Sequence, residues 1–176
     1  MKTKLILAIA ALALTACNKE STETTATETT PDPAMENYFT DAEIPAGEPI
    51  SVIREKVQPG DEISLGGLVM GREKVFVDGR ASFILGDPTT LTPCNQKSDD
   101  GCPTPWDVCC DSKELKKAGI ASIQIVGEDG RVLSGELRGI KGLKELSSVT
   151  VSGTVAPQST PDALIVNATK IHVSEP

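Results

Sequence analysis

Short runs of β-branched and apolar residues, broken by glycine and proline, constrain the fold of this chain more than any other feature. The runs begin near residue 50 and continue to residue 173. Each run has the length of a single strand, and many short strands joined by such turns are typical of a sandwich or a small barrel. The predicted strands are 49–53, 63–71, 74–77, 80–85, 121–126, 131–137, 149–155 and 164–173.

Turn residues connect several of these strands. Asp78-Gly79 stands between 74–77 and 80–85, and an Asp-Gly pair supplies the positive φ angles of a two-residue hairpin turn. Glu128-Asp129-Gly130 predicts a second turn, after 121–126. Residues 139–146 carry apolar side chains at every third position, which predicts one short helix before the last two strands.

The last predicted strand alternates two sets of side chains, because successive residues of a strand point to opposite faces. One face should carry Ile165, Asn167, Thr169 and Ile171, and the other Val166, Ala168, Lys170 and His172.

The order of several strands, a short helix and two final strands resembles an OB-fold. Two pairs of segments carry the resemblance. Residues 66–69 are followed by residues 83–87, and residues 149–155 are followed by residues 165–171. The resemblance covers about residues 61–173. It implies a mainly β domain at 49–176: a small five-stranded Greek-key barrel with one or two short helices. A long Cys-rich loop at 86–119 departs from the pattern, since a short connection is expected there.

The first seventeen residues form a basic start, an apolar run and a cysteine. Ten apolar residues at 5–14 are fewer than the roughly 20 that a membrane-spanning helix needs, so they predict a signal peptide at 1–16. Leu14-Thr15-Ala16-Cys17 resembles the lipobox of bacterial lipoproteins. The resemblance implies cleavage before Cys17, a lipid on its thiol and an acyl chain such as palmitate on its new amino terminus.

Residues 17–48 are rich in Thr, Glu, Ala and Pro and predict a disordered acidic tether. Segment 18–48 holds eight acids and one base, so it carries most of the formal charge of −8. The last third of this segment contains the apolar residues Tyr38, Phe39 and Ile44. The alternative that this third packs on the domain therefore stays open. The nearly balanced domain has no basic stripe for a phosphate backbone, which makes nucleic acid an unfavoured partner.

Cys94, Cys102, Cys109 and Cys110 lie within seventeen residues of the long loop. An even number of cysteines in an oxidising compartment predicts two structural disulfides. A bridge between the adjacent Cys109 and Cys110 would be strained. The pairs are therefore Cys94–Cys109 with Cys102–Cys110, or Cys94–Cys110 with Cys102–Cys109.

The alternative is a metal-handling or redox role for the same four cysteines. Four thiolates can bind zinc or copper, with Asp99, Asp107 and Asp111 near by. Zinc sites usually contain Cys pairs two to four residues apart, which this loop lacks. It also lacks the Cys-x-x-Cys motif of thiol exchange.

No motif of a nucleophilic hydrolase, a zinc peptidase or a P-loop enzyme is present. The sequence therefore predicts a non-enzymatic binding module on a membrane-anchored lipoprotein that faces the periplasm or the cell exterior. An envelope oligosaccharide or protein is its expected partner, since OB-folds bind such ligands along one barrel face. Trp106 is the candidate ligand-facing ring, or else a plug that seats the loop on the barrel. A purely structural envelope component is the remaining alternative. No cofactor is expected beyond the lipid on Cys17.

Overall fold

The computed structural model describes residues 33–97 and 101–174. Its strands form one closed barrel in the order β1-β2-β3-β5-β4, with a few short helices outside it. This confirms the predicted small, mainly β, OB-like barrel with a long Cys-rich loop. The strands are β1 (Glu62–Leu68), β2 (Ser82–Gly86), β3 (Ile120–Gln124), β4 (Ser148–Val155) and β5 (Leu164–Val173). The helices are α1 (Pro33–Glu36), α2 (Ile50–Ile53) and α3 (Lys113–Gly119), with 3₁₀ turns at Cys94–Gln96 and Ile140–Gly142.

The barrel closes through one long and one short strand contact. β1 pairs with β4 along its whole length, whereas β1 meets β2 only where Leu68 lies opposite Gly86. β3 runs antiparallel to β2 and parallel to β5. A Cβ atom on Gly67 would lie 2.6 Å from the carbonyl oxygen of Gly86. Gly67 therefore allows the backbones of β1 and β2 to approach closely at the short contact.

The core consists of the inward-facing side chains of all five strands. Burial of this apolar area is the main stabilising term, at about 25 cal/mol per Å² removed from water. Fully buried members include Leu65, Phe83, Leu85, Ile123, Val151, Val166 and Ile171.

The predicted faces of β5 are wrong beyond residue 168. Val166 and Ala168 are buried as one face, but Ile171 is buried with them instead of Lys170. A β-bulge causes the change: Ser152 lies opposite Lys170 and Gly153 opposite Ala168, so β5 has an extra residue there. An extra residue reverses the alternation of all later side chains.

The predicted strand at 49–53 is also wrong, because α2 occupies this position. The backbone N–H groups of Val52 and Ile53 both donate to the carbonyl oxygen of Pro49. Ile50 is completely buried. The backbone N–H and the hydroxyl of Ser51 donate to the carboxylate of Asp87, from the far end of β2. This contact stabilises the helix start and is invisible in the local sequence.

The two predicted turns are present, although the arms beside them are shorter than expected. Gly79 and Gly130 have φ angles of +69° and +74°, as each turn requires. Residues 74–77 contribute only the bridge between Phe76 and Phe83, and residues 131–137 pair with the β3 side through Val126 and Val132. The predicted helix at 139–146 reduces to the 3₁₀ turn, because positive φ angles at residues 139, 141, 142 and 146 interrupt it.

The segment at 33–40 packs against the barrel, so the structured part begins before the predicted boundary at residue 49. Met35 and Phe39 are buried in the main core. Phe39 forms a parallel bridge with Ile171, whose N–H donates to the carbonyl oxygen of Tyr38. The sequence left open whether this arm packs on the domain, and the structure shows that it does. The arm can pair with β5 because strand β3 ends before it reaches that part of β5. The predicted signal peptide, Cys17 and residues 17–32 of the predicted tether lie outside the described residues.

Candidate thiol centre and adjoining cleft

The Cys-rich loop runs from the end of β2 to the start of α3. Its two described halves are tied together because the N–H of Cys94 donates to the carbonyl oxygen of Asp107, at 2.8 Å, and that of Asn95 to Pro105, at 2.9 Å. Ser112 caps α3 by accepting from the N–H of Leu115. The sequence 111–114 predicts a capping box from Asp111 to Glu114, so the observed cap lies one residue later. These contacts hold the two described halves of the loop, and the cysteines on them, close together.

Trp106 anchors the loop to the barrel. Its indole N–H donates to the carbonyl oxygen of Glu73 at 2.9 Å, and its own carbonyl oxygen accepts from the N–H of Gly71 at 3.0 Å. The ring is half-buried and packs against both apolar clusters of the protein. These contacts agree with the plug interpretation of Trp106, because the ring and its N–H both have partners within the chain.

Three of the four cysteine sulfurs converge at one point. The Sγ atoms of Cys94, Cys102 and Cys109 all lie within 4.8 Å of one another. Cys109 Sγ is 3.5 Å from Cys94 Sγ and 3.9 Å from Cys102 Sγ. Cys110 Sγ lies 3.7 Å from Cys109 Sγ but does not belong to the group of three.

All four cysteines are reduced in this structure. A disulfide requires sulfurs about 2.05 Å apart, so the predicted bonds are not formed here and their pairing stays a prediction. Sulfurs that bind one tetrahedral zinc ion at about 2.3 Å lie about 3.8 Å apart. The separations of 3.5 and 3.9 Å fit such a site, and they are also ordinary contact distances between thiol groups.

The surroundings of the cluster change the acidity of two thiols in opposite directions. Hydrogen bonding with the hydroxyl of Thr104, which lies 3.3 Å from Cys102 Sγ, lowers the pKa of Cys102. The hydrogen bond from Cys94 favours the thiolate of Cys109, but hydrogen bonding with Cys110 and desolvation outweigh it and raise the pKa of Cys109. Cys102 is thus prepared to ionise before Cys109.

Lys97 adds positive charge beside the thiols. Its Nζ atom lies 2.8 Å from Asp111 Oδ1, and this hydrogen bond raises the pKa of Lys97. The negative charges of Cys110 and Cys94 raise it further. Asp111 also accepts from the N–H of Thr92, so this carboxylate holds the loop together. Asp99, the third predicted acidic neighbour, lies outside the described residues.

An open cleft of about 540 Å³ adjoins the thiol cluster, and Cys109 lies in its wall. The β1–β2 connection, the Cys-rich loop, α3, β3 and the β4–β5 connection all contribute to it. Its charged residues are the basic Arg72, Lys113, Lys116 and Lys117 and the acidic Glu73, Asp107 and Asp162. No aromatic side chain lines it.

Two cations in the cleft form neither an ion pair nor a side-chain hydrogen bond in the part of the chain that the structure describes. Lys117 forms an ion pair with Asp162, and Lys116 donates to the carbonyl oxygen of Cys109 at 2.9 Å. Arg72 and Lys113 are exposed and form no such contact among residues 33–97 and 101–174. Four basic and three acidic side chains line the cleft, so it has a small formal excess of positive charge.

Sequence reasoning found the four cysteines and Trp106, but it missed the cations of the cleft. The helix α3 contains Lys113, Lys116 and Lys117, which are close together in the sequence. A basic helix could therefore have been predicted. Arg72 comes from a distant connection, and only barrel closure brings it to the same place. The buried Asp87 was also missed, although the run Asp87-Pro88-Thr89-Thr90 is typical of a side-chain-capped turn.

Among the described residues, no helix is long and apolar enough to cross a membrane. Neither a protein-family model, nor a curated protein, nor a solved structure matches this chain.

Proposed function

We propose that this chain is a bacterial cell-envelope lipoprotein that displays a non-enzymatic binding module. Two features support the proposal. The first is the lipobox-like segment that ends at Cys17. The second is the open cleft of about 540 Å³ on the barrel, which is large enough for a peptide-sized ligand. The lipid would hold the barrel near a membrane surface, with the cleft exposed to envelope components.

The ligand that fits this cleft best is an acidic segment of an envelope protein. Arg72 and Lys113 offer positive charge without a partner among the described residues, and complementary charge steers a partner to its site. An oligosaccharide is less favoured, because no aromatic ring lines the cleft and Trp106 is occupied as a plug. Nucleic acid stays unfavoured, since acidic residues are interspersed among the cations.

An acidic model peptide, oligoglutamate, tests the assignment on the full chain. Reversal of both charges, Arg72→Glu with Lys113→Glu, should weaken binding about tenfold or more and reduce its dependence on salt. Lys74→Glu is the matched control, because Lys74 is highly exposed beside Asp78 and does not line the cleft.

The outcomes separate the alternatives. Equal weakening by the control would show general charge attraction instead of a cleft site. Binding of neutral glycans but not of the peptide would favour an oligosaccharide ligand. If the chain binds neither the peptide nor neutral glycans, the result would favour a purely structural envelope component.

A further inference from the structure

The three convergent thiols suggest a role that goes beyond ligand binding in the cleft. We propose that Cys94, Cys102 and Cys109 bind one Cu⁺ ion through three thiolates, and that Cys110 is not a ligand. The ion would lie between the buried Cys94 and the cleft wall that contains Cys109.

The sulfur positions are the first argument. Three sulfurs arranged in a plane around one ion, each about 2.3 Å from it, lie about 4.0 Å apart. The two measured separations of 3.5 and 3.9 Å, and the limit of 4.8 Å for the third, fit such a triangle with side-chain adjustments of a few tenths of an ångström.

The number of ligands identifies the metal. Soft thiolates select Cu⁺ or Zn²⁺, but structural zinc sites are almost always four-coordinate, whereas Cu⁺ is stable with three sulfurs. The group of possible ligands in the described chain contains these three cysteines and no carboxylate or histidine. Cys110 Sγ lies 3.7 Å from Cys109 Sγ but does not come within 4.8 Å of all three sulfurs. Asp111 already binds Lys97 and the N–H of Thr92.

Charge and acidity are consistent with such a site. Cu⁺ binding would replace the protons of three thiols, which pass to solvent, and leave the centre with two negative charges. The negative charge of the Cys94 thiolate raises the pKa of Lys97, so Lys97 lies within electrostatic reach of the centre. Lys97, which is also paired with Asp111, would offset part of this negative charge.

The experiment titrates the reduced full chain with Cu⁺ in the absence of oxygen, in competition with the chelator bathocuproine disulfonate. We expect one Cu⁺ per chain and an X-ray absorption spectrum with three sulfur neighbours. Cys102→Ser and Cys109→Ser should each lower the affinity at least tenfold. Cys110→Ser is the matched control and should bind Cu⁺ as the original chain does.

The emission of Trp106, the only tryptophan of the chain, checks that each variant keeps the loop seated.

Four outcomes would overturn the proposal. They are no Cu⁺ binding, equal loss of affinity in Cys110→Ser, tighter binding of Zn²⁺ by all four cysteines, and a chain from native membranes four hydrogens lighter than its reduced form. The last result would establish the two predicted disulfides. None of the four bears on the cleft, because oligoglutamate binding is measured separately.

Discussion

At the scale of single residues, Asp87 holds three separate parts of the structure together. It is only 1% exposed. Its carboxylate accepts hydrogen bonds from Ser51 on α2 and from Thr89 and Thr90 in the Cys-rich loop. One carboxylate thus joins the end of β2, the start of α2 and the start of the loop.

Replacement of this residue should destabilise the barrel. Asp87→Ala leaves two backbone N–H groups and three hydroxyls without their acceptor, which should cost about 2 to 3 kcal/mol in the free energy of unfolding. Urea unfolding of the full chain measures the change. Asp78→Ala, at an exposed turn, should change the free energy by less than about 0.5 kcal/mol. Similar effects from both would show that the network around Asp87 contributes nothing specific.

The same residue predicts a dependence of stability on pH. Burial alone would raise the pKa of Asp87, but the hydrogen bonds from Thr89 and Ser51 outweigh it and lower the pKa below its usual value. The folded state then holds this proton less tightly than the unfolded state does. The stabilisation is fully present above the unfolded pKa of about 3.9 and is lost as the pH falls through the lower folded value. Asp87→Asn should remove this part of the acid sensitivity, whereas an unchanged pH profile would contradict the assignment.

At the scale of elements, the arm at 33–40 behaves as part of the barrel. Phe39 is 7% exposed and extends the sheet beside β5. Phe39→Ala should therefore lower the free energy of unfolding by about 3 kcal/mol, because it opens a cavity in the core. Chemical denaturation gives the value. The control is Val77→Ala, at an exposed position, which should have a small effect.

Deletion of residues 18–32 should leave the stability nearly unchanged, since the composition of this segment predicts a tether. A loss as large as that of Phe39→Ala would show that the folded unit begins earlier than residue 33.

At the scale of the whole molecule, the lipobox-like segment predicts where the protein is held. Cys17→Ser should abolish metabolic labelling with palmitate and release the chain from the membrane fraction, because stable anchoring needs more than one acyl chain. Cys110→Ser, a cysteine change in the loop, should leave labelling unchanged. A Cys17→Ser chain that still carries lipid and sediments with membranes would refute the anchor.

Local patterns were sufficient where a segment forms its own structure. The alternation of β4, the length of β5 and the Asp78-Gly79 turn could be predicted, because propensity and turn chemistry depend on near neighbours. The candidate site was readable only in part. The cysteines are close in sequence, but their distances depend on how the loop is tied by Asp107 and Pro105.

The sequence by itself determined a β-rich domain, its main strands and an unusual cluster of cysteines, because alternation and turn residues act over a few positions. Tertiary structure alone decided the rest. Ile50 became part of a helix because Asp87 binds its neighbour Ser51, and Ile171 changed face because a bulge formed opposite Gly153. Barrel closure brought Arg72 to α3 and made a cleft of residues that are far apart along the chain. Such contacts depend on partners distant in sequence, which no local pattern contains.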